Sequence, residues 1–374
     1  MLGLPMKNLV ASDRGHNGTP SPPVPATGCA QRSERTSSVP RLSIGLPVYN
    51  GEKYLAESLD ALLGQSYEDF ELIISDNAST DGTAEICRRY GKQDSRIRYT
   101  RQQRNIGLIP NHSFVIRQAR GELFKMGAHD DLYGRDLMKR CVDALDEYPQ
   151  VVLAHSWSAI IDNSGAPTKL IKYPEATASP RAPERFRSML FDGKGDYTYA
   201  LIRTNVLRQT PLQGSYHNSD RTIITELALH GPFYQVPDWL YFRRDHPNEP
   251  SLTARERCAI LDPRRADALR NPAVRLYAEY LWGYVSAIRR APLSSADRRE
   301  CHLHLARWLA SRAVPAREPL GEPISARQPA LYLTRRLASL ALPGRDARAG
   351  EPAPTEQPVI SLDAVVPGWD RRPS

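Results

Sequence analysis

From residue 41 to residue 155, short runs of aliphatic and β-branched residues alternate with stretches whose apolar residues recur at helical spacing. Arg41 to Leu46 reads as a buried strand, and Leu55, Leu59, Leu62 and Leu63 mark a helix over about residues 52–63. The alternation continues with strand Glu71 to Ser75, helix Asp81 to Tyr90, strand Ile97 to Thr100 and helix Asn111 to Ala119. Strand Glu122 to Met126, helix Asp136 to Glu147 and strand Val151 to His155 complete it. A repeated βαβ pattern predicts an α/β fold with a mostly parallel central sheet flanked by helices. Such sheets bind ligands beyond the carboxyl ends of their strands, so chemistry is expected in the residues that follow strands.

The flanks read differently. Residues 1–40 carry Pro20, Pro22, Pro23, Pro25 and Pro40 among Gly, Ser, Thr and Arg, the composition of a disordered tail. Residues 41–255 are expected to form the α/β domain and 256–314 a helical C-terminal extension. Residues 315–374 read as a Pro/Arg-rich, largely disordered tail, with a short helix at Ala330 to Leu342. Within the extension, Pro272 to Arg289 and Ala296 to Ala313 read as helices, with Val274, Tyr277, Leu281, Tyr284, Val285 and Ile288 on one side of the first. Core packing is the expected use of that side. Arginines punctuate both helices, a pattern compatible with peripheral contact at the inner face of a cell membrane.

No apolar run reaches the roughly 20 residues that a membrane-spanning helix needs. The five cysteines are odd in number and widely spaced, without the short pairs of zinc or redox motifs, which suits a reducing cytoplasm. A net charge of +8 is a weak signal and does not by itself call for nucleic acid as a partner.

Three strand ends carry the candidate chemistry. The first strand runs into Pro47, Val48, Tyr49, Asn50, Gly51 and Glu52, where a base can stack on Tyr49. The second ends in Asp76, whose carboxylate can accept from a base N–H, followed by Asn77, Ala78, Ser79, Thr80 and Asp81, a helix-capping cluster. The fourth leads to Gly127, Ala128, His129, Asp130 and Asp131, whose paired carboxylates suit Mg²⁺ or Mn²⁺ together with substrate phosphates. Farther on, Asp220 precedes the helical pattern Ile223 to Leu229, where it is a good capping residue.

In order and spacing these segments resemble glycosyltransferase family 2 over about residues 41–250. Pro47-Val48-Tyr49-Asn50 looks like the family's first-strand motif, and Asp76 to Thr83 like its base-binding segment. Asn105-Ile106-Gly107 and Ala119-Arg120-Gly121-Glu122 are similar to its lead-in, and His129-Asp130-Asp131 stands at its Asp-x-Asp-type signature. Ala128 replaces the additional aspartate of the commoner form. The resemblance implies a GT-A fold and an inverting transfer of sugar from a UDP-, GDP- or dTDP-sugar to an acceptor hydroxyl. The acceptor would be a saccharide, a lipid-linked molecule or a small molecule, in polysaccharide, glycolipid or natural-product glycan synthesis.

It also implies roles. Pro47, Tyr49, Glu52, Asp76 and Asp130 would bind the donor nucleotide, and Asp131, Asp130 and His246 would hold a divalent Mn²⁺ or Mg²⁺, with Asp131 the first choice. Asp220 would be the catalytic base. Arg243, Arg244 and His246 would steady the diphosphate. A nucleotidyltransferase would need a Gly-rich phosphate loop after the first strand, where only Gly51 stands, and no G-x-G-x-x-G follows a strand as a dinucleotide enzyme requires. A catalytically silent member that binds glycans or nucleotides is the alternative from another class.

Overall fold

A computed structural model describes residues 39–192, 197–216, 218–245, 253–266 and 272–313. The expected tails, the short helix at Ala330 to Leu342 and His246 lie outside the described residues.

The alternation read from the sequence appears as β1 (Leu42–Val48), α1 (Leu55–Leu63), β2 (Phe70–Asp76), α2 (Thr83–Gln93), β3 (Ile97–Arg101), α3 (Leu108–Gln118) and β4 (Leu123–Met126). A short β5 (Leu132–Tyr133) precedes α4 (Leu137–Glu147), followed by β6 (Leu153–Ile161), β7 (Pro167–Ile171), α5 (Ala182–Phe191), β8 (Leu201–Arg203) and α6 (Thr204–Leu207). Then come α7 (Ser219–His230), β9 (Phe233–Arg244), α8 (Ala254–Leu261), α9 (Pro263–Ala266), α10 (Pro272–Arg290) and α11 (Ser295–Ala313). The strands form one sheet in the order β3-β2-β1-β4-β8-β6-β9-β5, with β7 beside β6.

Across β3, β2, β1 and β4 every pairing is parallel. β2 is buried along its whole length and β1 at all positions but Pro47, as strands covered on both faces must be. Beyond β4 the pairings are antiparallel, apart from β6 with β9. Parallel register aligns the strand ends: Val48 lies opposite Asp76, and Asp76 opposite Arg101. The loops after β1, β2 and β4 therefore emerge at one edge.

The segment Ala119 to Glu122 has a packing reason. Arg120 pairs with the buried Glu71 at 2.7 Å, and a Cβ on Gly121 would meet the Arg41 carbonyl oxygen at 2.6 Å. Helices α10 and α11 share a core with α5 and α7 through Phe186, Leu190, Leu229, Tyr280, Tyr284 and Trp308. The apolar side of α10 thus has a protein partner, the packing expected of it. No helix among the described residues is long and apolar enough to cross a membrane.

Lys125 is the odd member of the core. It is fully buried on β4, donates from Nζ to the Tyr199 carbonyl oxygen, and lies 5.0 Å from the ring centre of Tyr133 and 5.6 Å from that of Tyr241. Burial pushes its ammonium down to about 8, against weaker opposing pulls from Cys141 and Asp131. Below that pH the unfolded chain holds the charge more cheaply, so Lys125 costs stability at neutral pH. The cost declines as pH rises toward the ordinary lysine value. Relative to Lys125→Met, the native protein should gain about 2 kcal/mol of unfolding free energy between pH 7 and pH 9.5. Urea titrations of the two proteins at both pH values check this; an unchanged difference rejects it.

Candidate active site

Two strand-end loops are clasped to each other. Asn50, in the left-handed region at φ 52°, accepts from Thr80 N at 2.9 Å, while its own N–H donates to Ser79 Oγ at 3.0 Å. Gly51 N donates to Thr83 Oγ1 at 2.8 Å and Asn77 N to the Val48 carbonyl at 2.8 Å. Gly51 is also a close approach: a Cβ there would meet His129 Cδ2 at 2.6 Å, so glycine lets the metal-type segment pack on the first loop. Tyr49 is left projecting, 45 % exposed.

This clasp reassigns two expected nucleotide contacts. Glu52 accepts from Gly82 N at 3.0 Å, while its N–H donates to Asp81 at 3.1 Å, so it caps α2 and does not line the cavity described below. Asp76 is fully buried: Oδ1 accepts from Ser79 N at 2.8 Å, Oδ2 from Tyr99 Oη at 3.0 Å, and Arg101 Nε lies 3.4 Å from Oδ2. Its carboxylate builds the turn that presents the loop. Asp76, expected above as a base contact, does not line the cavity described below.

The two neighbouring aspartates separate sharply. Asp131 is 3 % exposed; it accepts from Tyr241 Oη and, at 2.8 Å, from Arg244 N, which ties the strand end to β9. Antiparallel pairing of Leu132 with Phe242 and Tyr133 with Tyr241 sets that geometry. Arg244 belongs to the same brace: Nε donates to the Asp130 carbonyl at 2.9 Å, Nη2 meets Glu57 at 2.8 Å, and the guanidinium lies 4.3 Å from the Tyr54 ring centre. Asp131, expected above as the first-choice metal ligand, is thus engaged in this brace, and neither it nor Arg244 lines the cavity described below. Arg243, half-buried, does not line the cavity either. Tyr241 to Arg244 form the end of strand β9.

Asp130, half-buried, does face the cavity, with His129 Nδ1 4.0 Å from its Oδ1. The backbone before it is held rigidly: Tyr133 Oη bonds both Ala128 N, at 2.7 Å, and Ala128 O, at 3.1 Å, and Ser58 Oγ donates to the same carbonyl at 2.7 Å. Where the commoner family form would carry a further aspartate, this chain has a buried alanine pinned by a tyrosine.

The cavity at this edge has a volume of about 750 Å³, a size suited to a nucleotide-sized ligand. Pro47, Tyr49, Asp130 and Asp220 all line it. Asp220 is exposed in the first turn of α7, entered through Asn218 in the left-handed conformation. Ala259, Ile260 and Leu261 of α8 form an apolar stretch of the wall. Among the described residues, Asp130 and Asp220 are the carboxylates of the lining.

Sequence reasoning missed His112 and the amides around it. His112 Nδ1 lies 2.8 Å from Gln213 Oε1, a contact in which the amide oxygen holds the ring in place. Burial pushes the imidazole below the usual histidine range, against opposing pulls from Gln213 and Asp220. Asn77 and Asn111 also line the cavity; Asn77 bridges to Asn105 at 3.0 Å and to Ile106 N at 2.8 Å. The polar run Asn111-His112-Ser113 at the head of the expected helix was the available signal.

Residues 43–209 match the family described as Glycosyl transferase family 2. The match ends before α7, so Asp220 lies beyond it. Glycosyltransferase GlyG of Streptococcus pneumoniae is 31% identical over 106 residues, 28% of this chain and 35% of that protein. The putative glycosyltransferase EpsE of Bacillus subtilis is 31% identical over 130 residues, 34% of this chain and 47% of that protein. The chain thus spans between about a third and a half of the length of these relatives. In fold, it is similar to residues 1–349 of S. aureus TarS, crystallised with UDP-GlcNAc, with a TM-score of 0.53, 18% identity, and coverage of 72% of this chain and 73% of that one.

Proposed function

We propose, from the match of residues 43–209 to the glycosyl transferase family 2 model and the similarity of the fold to that of TarS, that this chain transfers a sugar from a nucleoside diphosphate donor to an acceptor hydroxyl, with inversion at the anomeric carbon. The observation that carries the reading is that an exposed aromatic, Tyr49, and two carboxylates on separate elements, Asp130 and Asp220, line a single cavity at the carboxyl edge of the sheet. The donor base stacks on Tyr49 against Pro47. Asp76 and Glu52 contribute by holding the loop that presents Tyr49, through the bonds given above.

Asp220 takes the proton of the acceptor hydroxyl as that oxygen attacks the anomeric carbon and the bond to the diphosphate breaks. His112, neutral and fixed by Gln213, offers Nε2 to a donor or acceptor hydroxyl. Among the described residues no three of His, Cys, Asp and Glu converge on one point. The donor set still fits Mg²⁺ or Mn²⁺ in the form these ions favour with nucleotides, one protein carboxylate with phosphate oxygens and water. Asp130 is that carboxylate, and a bound ion would supply charge stabilisation to the departing diphosphate. The acceptor is a saccharide, a glycolipid or a small glycoside.

The reading is tested by melting the protein with Mn²⁺ and UDP or GDP, where ligand at 100 times its Kd should stabilise by about 2.7 kcal/mol. Tyr49→Ala should weaken the effective nucleotide by about 1–3 kcal/mol of binding, the value of one base–aromatic stack. A wild-type protein that neither nucleotide stabilises at millimolar concentration, and that hydrolyses no nucleotide sugar, would sink the proposal.

A further inference from the structure

A second cavity, of about 300 Å³, lies beside the first and shares Tyr216 with it. Its walls are the 211–216 segment and parts of α7, α9 and α10, and α7 also carries Asp220 to the first cavity. Trp282 on α10 lines it and is 60 % exposed, the most exposed large apolar side chain among the described residues. Facing the same space are two ion pairs. Arg290 grips Glu226 through Nε at 2.9 Å and Nη2 at 2.8 Å, and Arg265 Nη2 reaches both oxygens of Glu279, at 2.6 and 2.8 Å. Glu226 is 1 % exposed, so this is a built polar wall and not a scatter of surface charges.

The chemistry of the wall selects its ligand. The two guanidiniums and two carboxylates of the lining are already paired, and behind them Arg275 Nε also donates to Glu279 at 3.1 Å, so no lining carboxylate is left over to attract a cation and no lining guanidinium to attract an anion. The pairs do leave carboxylate lone pairs that accept from hydroxyls and guanidinium N–H groups that donate to them. An exposed indole supplies a flat apolar face for the C–H face of a sugar ring. A neutral, hydroxyl-rich ring compound satisfies both surfaces at once. Bound alkyl chains would leave the ion pairs desolvated and unanswered.

Position along α7 connects this site to the reaction. Asp220 faces the first cavity and Glu226 the second, six residues apart, which is about 9 Å along a helix rising ~1.5 Å per residue. Tyr216 stands between, close enough to α10 that a Cβ on Gly283 would meet its Oη at 2.6 Å. We propose that the second cavity is an acceptor subsite for a neutral oligosaccharide, with the sugar to be modified at Asp220 and a neighbouring unit stacked on Trp282 between the two ion pairs. The inference deepens the glycosyl-transfer reading and rests on it for the word acceptor, though saccharide binding at Trp282 stands on the cavity alone.

The test is binding of the full-length chain to an array of immobilised neutral and acidic saccharides of one to four units. Neutral saccharides of two or more units should bind at least ten times more tightly than their monosaccharides. Trp282→Ala should remove that preference, and Trp282→Phe should restore most of it. Nucleotide-induced stabilisation should be the same in all three proteins. Absence of saccharide binding, a preference for acidic glycans, or a preference that Trp282→Ala leaves intact overturns the subsite. If saccharides bind as described while nucleotides do not stabilise the wild type, the saccharide site holds and the transfer reading fails, so the two failures are told apart.

Discussion

Replacing Asp220 with asparagine should lower the rate of sugar transfer by about 10²–10⁴-fold, the usual worth of a positioned general base, while leaving nucleotide affinity close to that of the native protein. The expectation follows from the composition of the cavity wall. Among the described lining residues, the carboxylates are Asp130, which sits on the strand-end loop beside His129, and Asp220. Asparagine keeps the shape and the hydrogen-bonding capacity of Asp220 at the head of α7 and removes its basicity, so folding should survive. Initial rates with saturating donor, together with the melting shift by Mn²⁺ and UDP or GDP, separate the two effects. A variant that transfers at the native rate would remove Asp220 from the mechanism. One that loses nucleotide stabilisation as well would make it a binding residue.

The second large effect distinguishes two adjacent aspartates that a motif treats as equivalents. Asp131→Ala should destabilise the fold by about 3 kcal/mol, because it leaves the buried Tyr241 hydroxyl and the Arg244 N–H without their acceptor. For a domain of this size that corresponds to a melting temperature lower by about 5–10 °C. Asp130→Ala, by contrast, should melt within about 2 °C of the native protein, since its half-buried side chain faces the cavity. It should instead abolish the increment that Mn²⁺ adds to nucleotide stabilisation. Thermal unfolding of both variants with nucleotide, with and without Mn²⁺, decides the matter. If Asp131→Ala melts normally and is the variant that loses the Mn²⁺ increment, the brace is wrong and Asp131 is the ligand.

The contrast shows how far residue patterns reach. The β-α alternation through β6 was legible because each element declares itself locally, by apolar periodicity and by turn and capping residues. The edge that carries the site followed from it, and so did Tyr49 and Asp130 as residues of interest, while Asp220 was picked out by the family resemblance. The strand β9 was not legible. Its residues Tyr241 to Arg244 look like a basic loop until they pair with β5 and β6, and that pairing is what buries Arg244 and turns Asp131 inward. The cavity beside Trp282 was equally hidden, because its ion pairs join residues 14 and 64 positions apart.

Glu52 and Asp76 make the same point within the motifs. Their types and positions suggested a nucleotide pocket, yet Glu52 caps α2 and Asp76 closes its own turn. A carboxylate at a strand end satisfies a ligand and a backbone N–H equally well, so residue type cannot choose between them. The sequence by itself determined the layered α/β fold, the reactive edge of its sheet and the short set of acidic residues there. Only the tertiary structure decided which of those acids are spent on the fold and which face the cavity, because burial and hydrogen-bond partners come from strands and helices far apart in the chain.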